Sequence, residues 1–220
     1  MSDFNLVLVA PDVALCAEFA AAFDGLPRAE VVAGRFEMLP AFDCMVSAAN
    51  SFGLMDGGVD AAITSFFGLS LMDHVQDRIR HEHLGEQNVG TSMIVETGHP
   101  RHPFIAHTPT MRSPMEISRT DNVYRAMWAM LLAVRLHNQQ SSRRIQIVAC
   151  PGMGTGTGRV PYAEAARQMA MAYRNFLSPP TQLDWDLAMD RQTQIRYGGD
   201  LGFHFPPATS KAQEAAGSTA

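Results

Sequence analysis

FDCMVSAANSFGLMDGGVDAAI, residues 42–63, begins as a buried strand and closes as the first turns of a helix. Between the two stand Asn50, Gly57, Gly58 and Asp60, an amide, two glycines and a carboxylate at the carboxyl end of a strand. A plain strand-to-helix turn needs one Gly or Asn to take a positive φ. This segment has more than that. The surplus of polar and permissive residues points to a ligand.

The same reading extends in both directions. FNLVLVA (4–10), AEVVAGR (29–35), DCMVSAA (43–49), TSMIVET (91–97), PFIAHTP (103–109) and RRIQIVAC (143–150) are short apolar runs of strand length. Helical periodicity predicts helices near 12–23, 59–67, 71–83, 120–138 and 161–177. Asp12 follows Pro11 and suits the cap of the first; Thr120 or Asp121 suits the cap of the fourth. Strands alternating with helices predict an α/β chain: a three-layer α/β/α sandwich around a central mixed, largely parallel sheet. Past Pro179 the character changes. TQLDWDLAMDRQTQIRY (181–197) predicts one further amphipathic helix, with Leu183, Leu187 and Ile195 facing the body. The expected organisation is a domain at 1–177, an extension packed on it at 178–205, and a disordered, small and polar tail at 206–220.

Composition narrows the partners. With 220 residues, 46% hydrophobic and 18% charged, the chain suits one globular domain. Its formal net charge of -5 implies no nucleic acid partner and no anionic membrane. An anionic ligand must then be held locally, by backbone amides or a few arginines. Cys16, Cys44 and Cys150 lie in or beside apolar runs without metal-ligand spacing, which predicts buried free thiols. The apolar run in MSDFNLVLVAPD is short and lacks a basic lead, so the cytoplasm is the expected location. HEH (81–83) and HPRH (99–102) do not form a set of four zinc ligands and read as surface histidines. Met127, Trp128 and Met130 share a helix at apolar spacing and read as core, and His107 reads as a hydrogen-bonded strand histidine.

In open α/β sheets ligands occupy the crevice outside the carboxyl ends of the strands. Two glycine-rich loops fall there, at 50–58 and 151–160, and each runs into a helix. Such loops turn consecutive N–H groups toward an anion, and a helix amino end adds more. Two loops side by side suit a diphosphate. GMGTGTGR (152–159) is no P-loop, because no Lys-Ser/Thr follows the glycines. Its glycines alternate every second residue, so it is no dinucleotide fingerprint either.

These residues carry a resemblance. FDCMVSAANSFGLMDGGVDAAI is similar to the macro domain signature, in which a strand ends in Asn-Ala-Ala-Asn and leads to a Gly-Gly-Val-Asp helix start. IVACPGMGTGTGRVPYAEAARQM (147–169) occupies the place of that family's second loop, and VGTSMIVETGHPRHPFIAHTPT (89–110) resembles its two middle strands. The likeness covers roughly residues 29–177. It implies a site for ADP-ribose or a derivative, used by some members to hydrolyse ADP-ribosyl esters, with neither cofactor nor metal. By position, Ala49 and Asn50 fall at the distal ribose, with Asn50 as its hydrogen-bond partner. Gly57, Gly58 and Val59 would lie along ribose and phosphates. Asp60 matches the carboxylate that holds or activates a water. Gly154, Thr155, Gly156, Thr157 and Gly158 would give backbone amides to the diphosphate.

This chain also departs from the pattern. Ser47 stands for the first Asn of the pair, and Met55 and Asp56 stand for two glycines. Where many members have Gly-Asp-Ile beside adenine, this chain has Gly34, Arg35 and Phe36, with Phe36 placed to stack on a base. Gly158 aligns with an aromatic, and Arg159 beside it is a candidate phosphate ligand. The expectation is a protein that binds ADP-ribose or a related nucleotide, with Asn50 and Asp60 as the catalytic pair if it also hydrolyses. The alternative is a non-catalytic nucleotide-binding or structural module on the same fold. The oligomeric state is not legible.

Overall fold

The computed structural model describes residues 4–195. Six strands form one sheet: β1 (Asn5–Ala10), β2 (Ala29–Ala33), β3 (Cys44–Ser47), β4 (Met93–Glu96), β5 (Phe104–His107) and β6 (Ile147–Cys150). Their order is β2-β1-β6-β3-β5-β4, parallel throughout except the β4–β5 edge pair. The helices are α1 (Val13–Ala22), α2 (Gly58–Phe67), α3 (Ser70–Glu82), α4 (Asn122–Gln140), α5 (Tyr162–Leu177) and α6 (Trp185–Gln194).

Strand periodicity builds the layers. Alternate strand residues face opposite sides. Leu6, Leu8, Cys44, Val46, Phe104, Ala106, Val148 and Cys150 join the core beneath α1, α4 and α5. Val9, Met45, Ile105 and Ala149 join a second core beneath α2 and α3. Both faces of the sheet are covered, which is why these strands read as continuous apolar runs. All three cysteines are free and buried in these layers.

Local chemistry sets the ends of the elements. Asp12 caps α1, accepting the amides of Ala14 at 2.8 Å and Leu15 at 3.4 Å. At α4, Thr120 Oγ1 accepts the Asn122 amide at 3.3 Å. The run at 143–150 is strand only from Ile147, because Asn138 brackets Ile145 with two side-chain bonds and Asp43 Oδ2 accepts the amides of Gln146 and Ile147.

The extension corrects one expectation. Leu183 is 84% exposed and does not face the body. It precedes Asp184, the cap of α6, and so lies off the helix whose face was to carry it. Ile195 is buried as expected, and further contact comes from Arg191 over the Trp128 ring at 5.3 Å and from Arg167 to the Gln194 carbonyl at 2.7 Å. Trp128 is accordingly only half buried, whereas Met127 and Met130 are core. Residues 196–205 and the tail at 206–220 lie outside the described residues. No helix among the described residues is long and apolar enough to cross a membrane.

Candidate functional site

A cavity of about 540 Å³ opens at the carboxyl ends of the parallel strands. Its wall takes Gly34 and Phe36 after β2, Pro11 and Asp12 after β1, Gly152 to Gly158 (Met153 excepted) after β6, and Ala49, Asn50 and 56–60 after β3. Both glycine loops therefore meet on one space, as ligand crevices of open sheets do.

The first loop is held by the segment that follows β5. Thr110 N–H donates to the Ala49 carbonyl at 2.9 Å, and Ser51 N–H to the Met111 carbonyl at 3.1 Å. Asn50 then organises the loop from inside. Its Oδ1 accepts the amides of Phe52 (3.0 Å) and Leu54 (3.3 Å), and its Nδ2 donates to the Leu54 carbonyl at 2.8 Å. Among the described residues the second N–H of that amide group has no acceptor. Loop closure delivers Gly57, Gly58 and Val59 to the start of α2, where no side chain caps the helix. Gly58, Val59 and Asp60, whose amides have no intrahelical acceptor, line the cavity wall.

Asp60 lies in the first turn of α2 and is only 5% exposed. Its Oδ1 accepts the Ser47 hydroxyl at 2.7 Å. Among the described residues no hydrogen bond engages Oδ2. Burial raises the carboxyl to about 6 from an ordinary 3.8, and the Ser47 bond works against that rise. The serine that departs from the Asn-Ala-Ala-Asn pattern is thus the partner of the candidate base. Asp56 lines the same wall but is exposed.

The second loop works through its backbone. Among the described residues, the amides of Thr155, Gly156, Thr157 and Gly158 have no protein acceptor, while Arg159 N–H and Val160 N–H close the loop onto Gly156 O and Gly154 O, both at 3.0 Å. Gly154 takes a φ of +72°, which permits this curl. Gly158 is glycine for lack of room. A Cβ there would stand 2.5 Å from the Gly154 oxygen and 2.8 Å from Ile117 Cγ1, so the aromatic expected at this position cannot be accommodated. A Cβ on Gly156 meets nothing within 4 Å and would face open space.

Two expectations change in detail. Phe36 borders the cavity but is 5% exposed, packed edge-on against Phe42 and Phe66. Its ring is a core ring, not a free face for a base. Arg159 is exposed with φ +51° and does not line the cavity. Sequence reasoning misses other side chains of the site. Asp12 and Tyr162 line the cavity and bond to each other at 2.9 Å, and the Ser47–Asp60 bond links two positions thirteen apart. Asp12 stands directly after a strand, which is the signal that marks the other loops, but its cap role alone accounts for it in the sequence. His107 is a strand histidine as expected, its Nδ1 2.6 Å from Gln87 Oε1, and burial lowers it to about 3.

A family model described as Macro domain matches residues 46–169 of the 220. The chain belongs to the macro domain family. An uncharacterized protein of Aquifex aeolicus is 34% identical over 134 residues, 61% of this macro domain chain and 74% of that protein. A Salmonella gallinarum protein named O-acetyl-ADP-ribose deacetylase is 28% identical over 155 residues, 69% of this chain and 80% of its own. A solved variant of the Oceanobacillus iheyensis macrodomain with ADPR superposes with a TM-score of 0.52 at 20% identity, over 78% of each chain. That last likeness concerns the fold. β1, α1 and β2, which form one end of the cavity, lie before the matched stretch of the macro domain.

Proposed function

We propose that this macro domain binds an ADP-ribosyl nucleotide, with the diphosphate on the second loop and the distal ribose against the first. The row of four amides without protein acceptors, Thr155 to Gly158, carries the reading. These residues line the cavity, and an anion there can accept from several such N–H groups at once. The remaining Nδ2 hydrogen of Asn50 is the donor offered to a ribose hydroxyl. The choice of ligand is supported by the Oceanobacillus iheyensis macrodomain variant, which was solved with ADPR. Calorimetric titration with ADP-ribose tests it: saturable binding is expected, competed by ADP but not by inorganic phosphate alone.

Hydrolysis of an ADP-ribosyl ester is the second reading, favoured by Asp60. At neutral pH a carboxyl titrating near 6 is mostly ionised yet basic enough to take a proton. Oδ2 would accept a proton from water as the oxygen attacks the ester carbonyl. The carbon–ribose-oxygen bond then breaks, and the proton passes to the leaving ribose hydroxyl. The name of the Salmonella gallinarum relative supports this substrate class. Acetate release from O-acetyl-ADP-ribose is the assay. Binding without release leaves a recognition module.

A further inference from the structure

The cavity continues past both glycine loops. In the sheet, β6 has β3 and β5 on one side and β1 and β2 on the other. A diphosphate on the loop after β6 therefore sits mid-cavity. With the distal ribose on the β3 side, the other end of the ligand comes to rest over β1 and β2. There the charged and hydroxyl-bearing side chains of the wall are Asp12, Arg35 and Glu37, with Tyr162 from the start of α5, among apolar residues such as Pro11 and Phe36.

This end is poorly suited to a phosphate. Arg35 is closed onto Glu37 at 2.6 Å. Asp12 is an exposed carboxylate held in one orientation. Its Oδ1 accepts two α1 amides and its Oδ2 accepts the Tyr162 hydroxyl. A carboxylate has about four lone-pair positions, and three are filled by the protein. Among the described residues the fourth, on Oδ2, has no protein donor, and Asp12 lines the cavity. The Tyr162 bond, followed by the Ala14 amide, also holds Asp12 below the ordinary carboxylate range, so the acceptor is ionised at neutral pH.

We propose that Asp12, oriented by Tyr162, is the specificity determinant that reads the exocyclic amine of the ligand's adenine. The assignment rests on the ADP-ribosyl reading of the cavity. A fixed anionic acceptor favours an N–H donor and disfavours a carbonyl at the same place, where two acceptors would face each other. Residue 35, the position the family pattern would use, is a paired arginine here. The acceptor comes instead from the first strand-to-helix turn.

The test is a ratio of affinities, measured by calorimetry for ADP-ribose and for its hypoxanthine analogue, inosine diphosphate ribose. The parent protein should prefer ADP-ribose by ~10-fold or more, the scale of one charge-assisted hydrogen bond. D12N keeps a good helix cap through Oδ1 and puts an amide N–H where Oδ2 was. Its preference should collapse or invert. Y162F, which frees the carboxylate without removing it, should give an intermediate ratio. Equal binding of the two nucleotides by the parent, or an unchanged ratio in both variants, would overturn the assignment while leaving the ADP-ribosyl reading intact. Binding of neither nucleotide by the folded parent overturns that reading, and the base assignment with it.

Discussion

The two glycine loops share one cavity but are built in opposite ways. The first, at 50–60, is a loop of side chains. Asn50 makes three hydrogen bonds within it, and Asp60 is bonded to Ser47 under near-complete burial. The second, at 151–160, is a loop of backbone: among the described residues the amides of Thr155 to Gly158 have no protein acceptor, and a Cβ on Gly156 would meet nothing within 4 Å. A titratable group needs a packed environment to shift its pKa, whereas an anion cradle needs donors and little bulk. One loop is thus suited to chemistry and the other to affinity.

The largest expected effect separates those two roles. Asp60→Ala should lower acetate release from O-acetyl-ADP-ribose by ~10²-fold or more with ADP-ribose affinity kept, the usual scale for removing a general base. Asp56→Ala should leave both nearly unchanged. The same loss in Asp56→Ala alone would move the base role to that residue. In the parent, turnover should rise with pH through about 6, because the ionised form is the base.

Stability should move the other way. A carboxyl at about 6 in the fold and 3.8 when unfolded binds its proton more tightly in the native state. That contribution is fully present below pH 4 and is lost as pH rises through 6, a change of up to ~3 kcal/mol. Asp60→Asn removes the titration. Urea unfolding at pH 8 should then show a variant at least as stable as the parent, although inactive. A clear loss of stability there would show the carboxylate to be structurally required.

Within the second loop, two glycines should respond differently. Gly158→Ala forces a Cβ against the Gly154 oxygen and should destabilise the fold by ~1–3 kcal/mol, read as a lower Tm. Gly156→Val points into open space, so the fold should hold while ADP-ribose affinity falls by ~10-fold or more. Unchanged affinity in the second variant would remove this loop from the site. The smallest effect is expected at Ser47. Ser47→Ala deletes the bond that opposes the rise at Asp60, and the pH–rate inflection should move up from about 6.

What residue order alone determined was local. Apolar runs of strand length, helical periods and the Asp12 cap are decided by neighbours, so the layers and their succession are readable from the chain. The two glycine loops are readable too, because a glycine cluster after a strand has few other uses. Tertiary structure decided the rest. Only packing shows that a Cβ on Gly158 would meet its own loop, that the Phe36 ring belongs to the core, and that Arg159 does not line the cavity. Only the sheet order, β2-β1-β6-β3-β5-β4, places Asp12 and Tyr162 together across 150 residues. Periodicity reports which face a residue presents; what meets that face depends on strands brought side by side from distant parts of the chain.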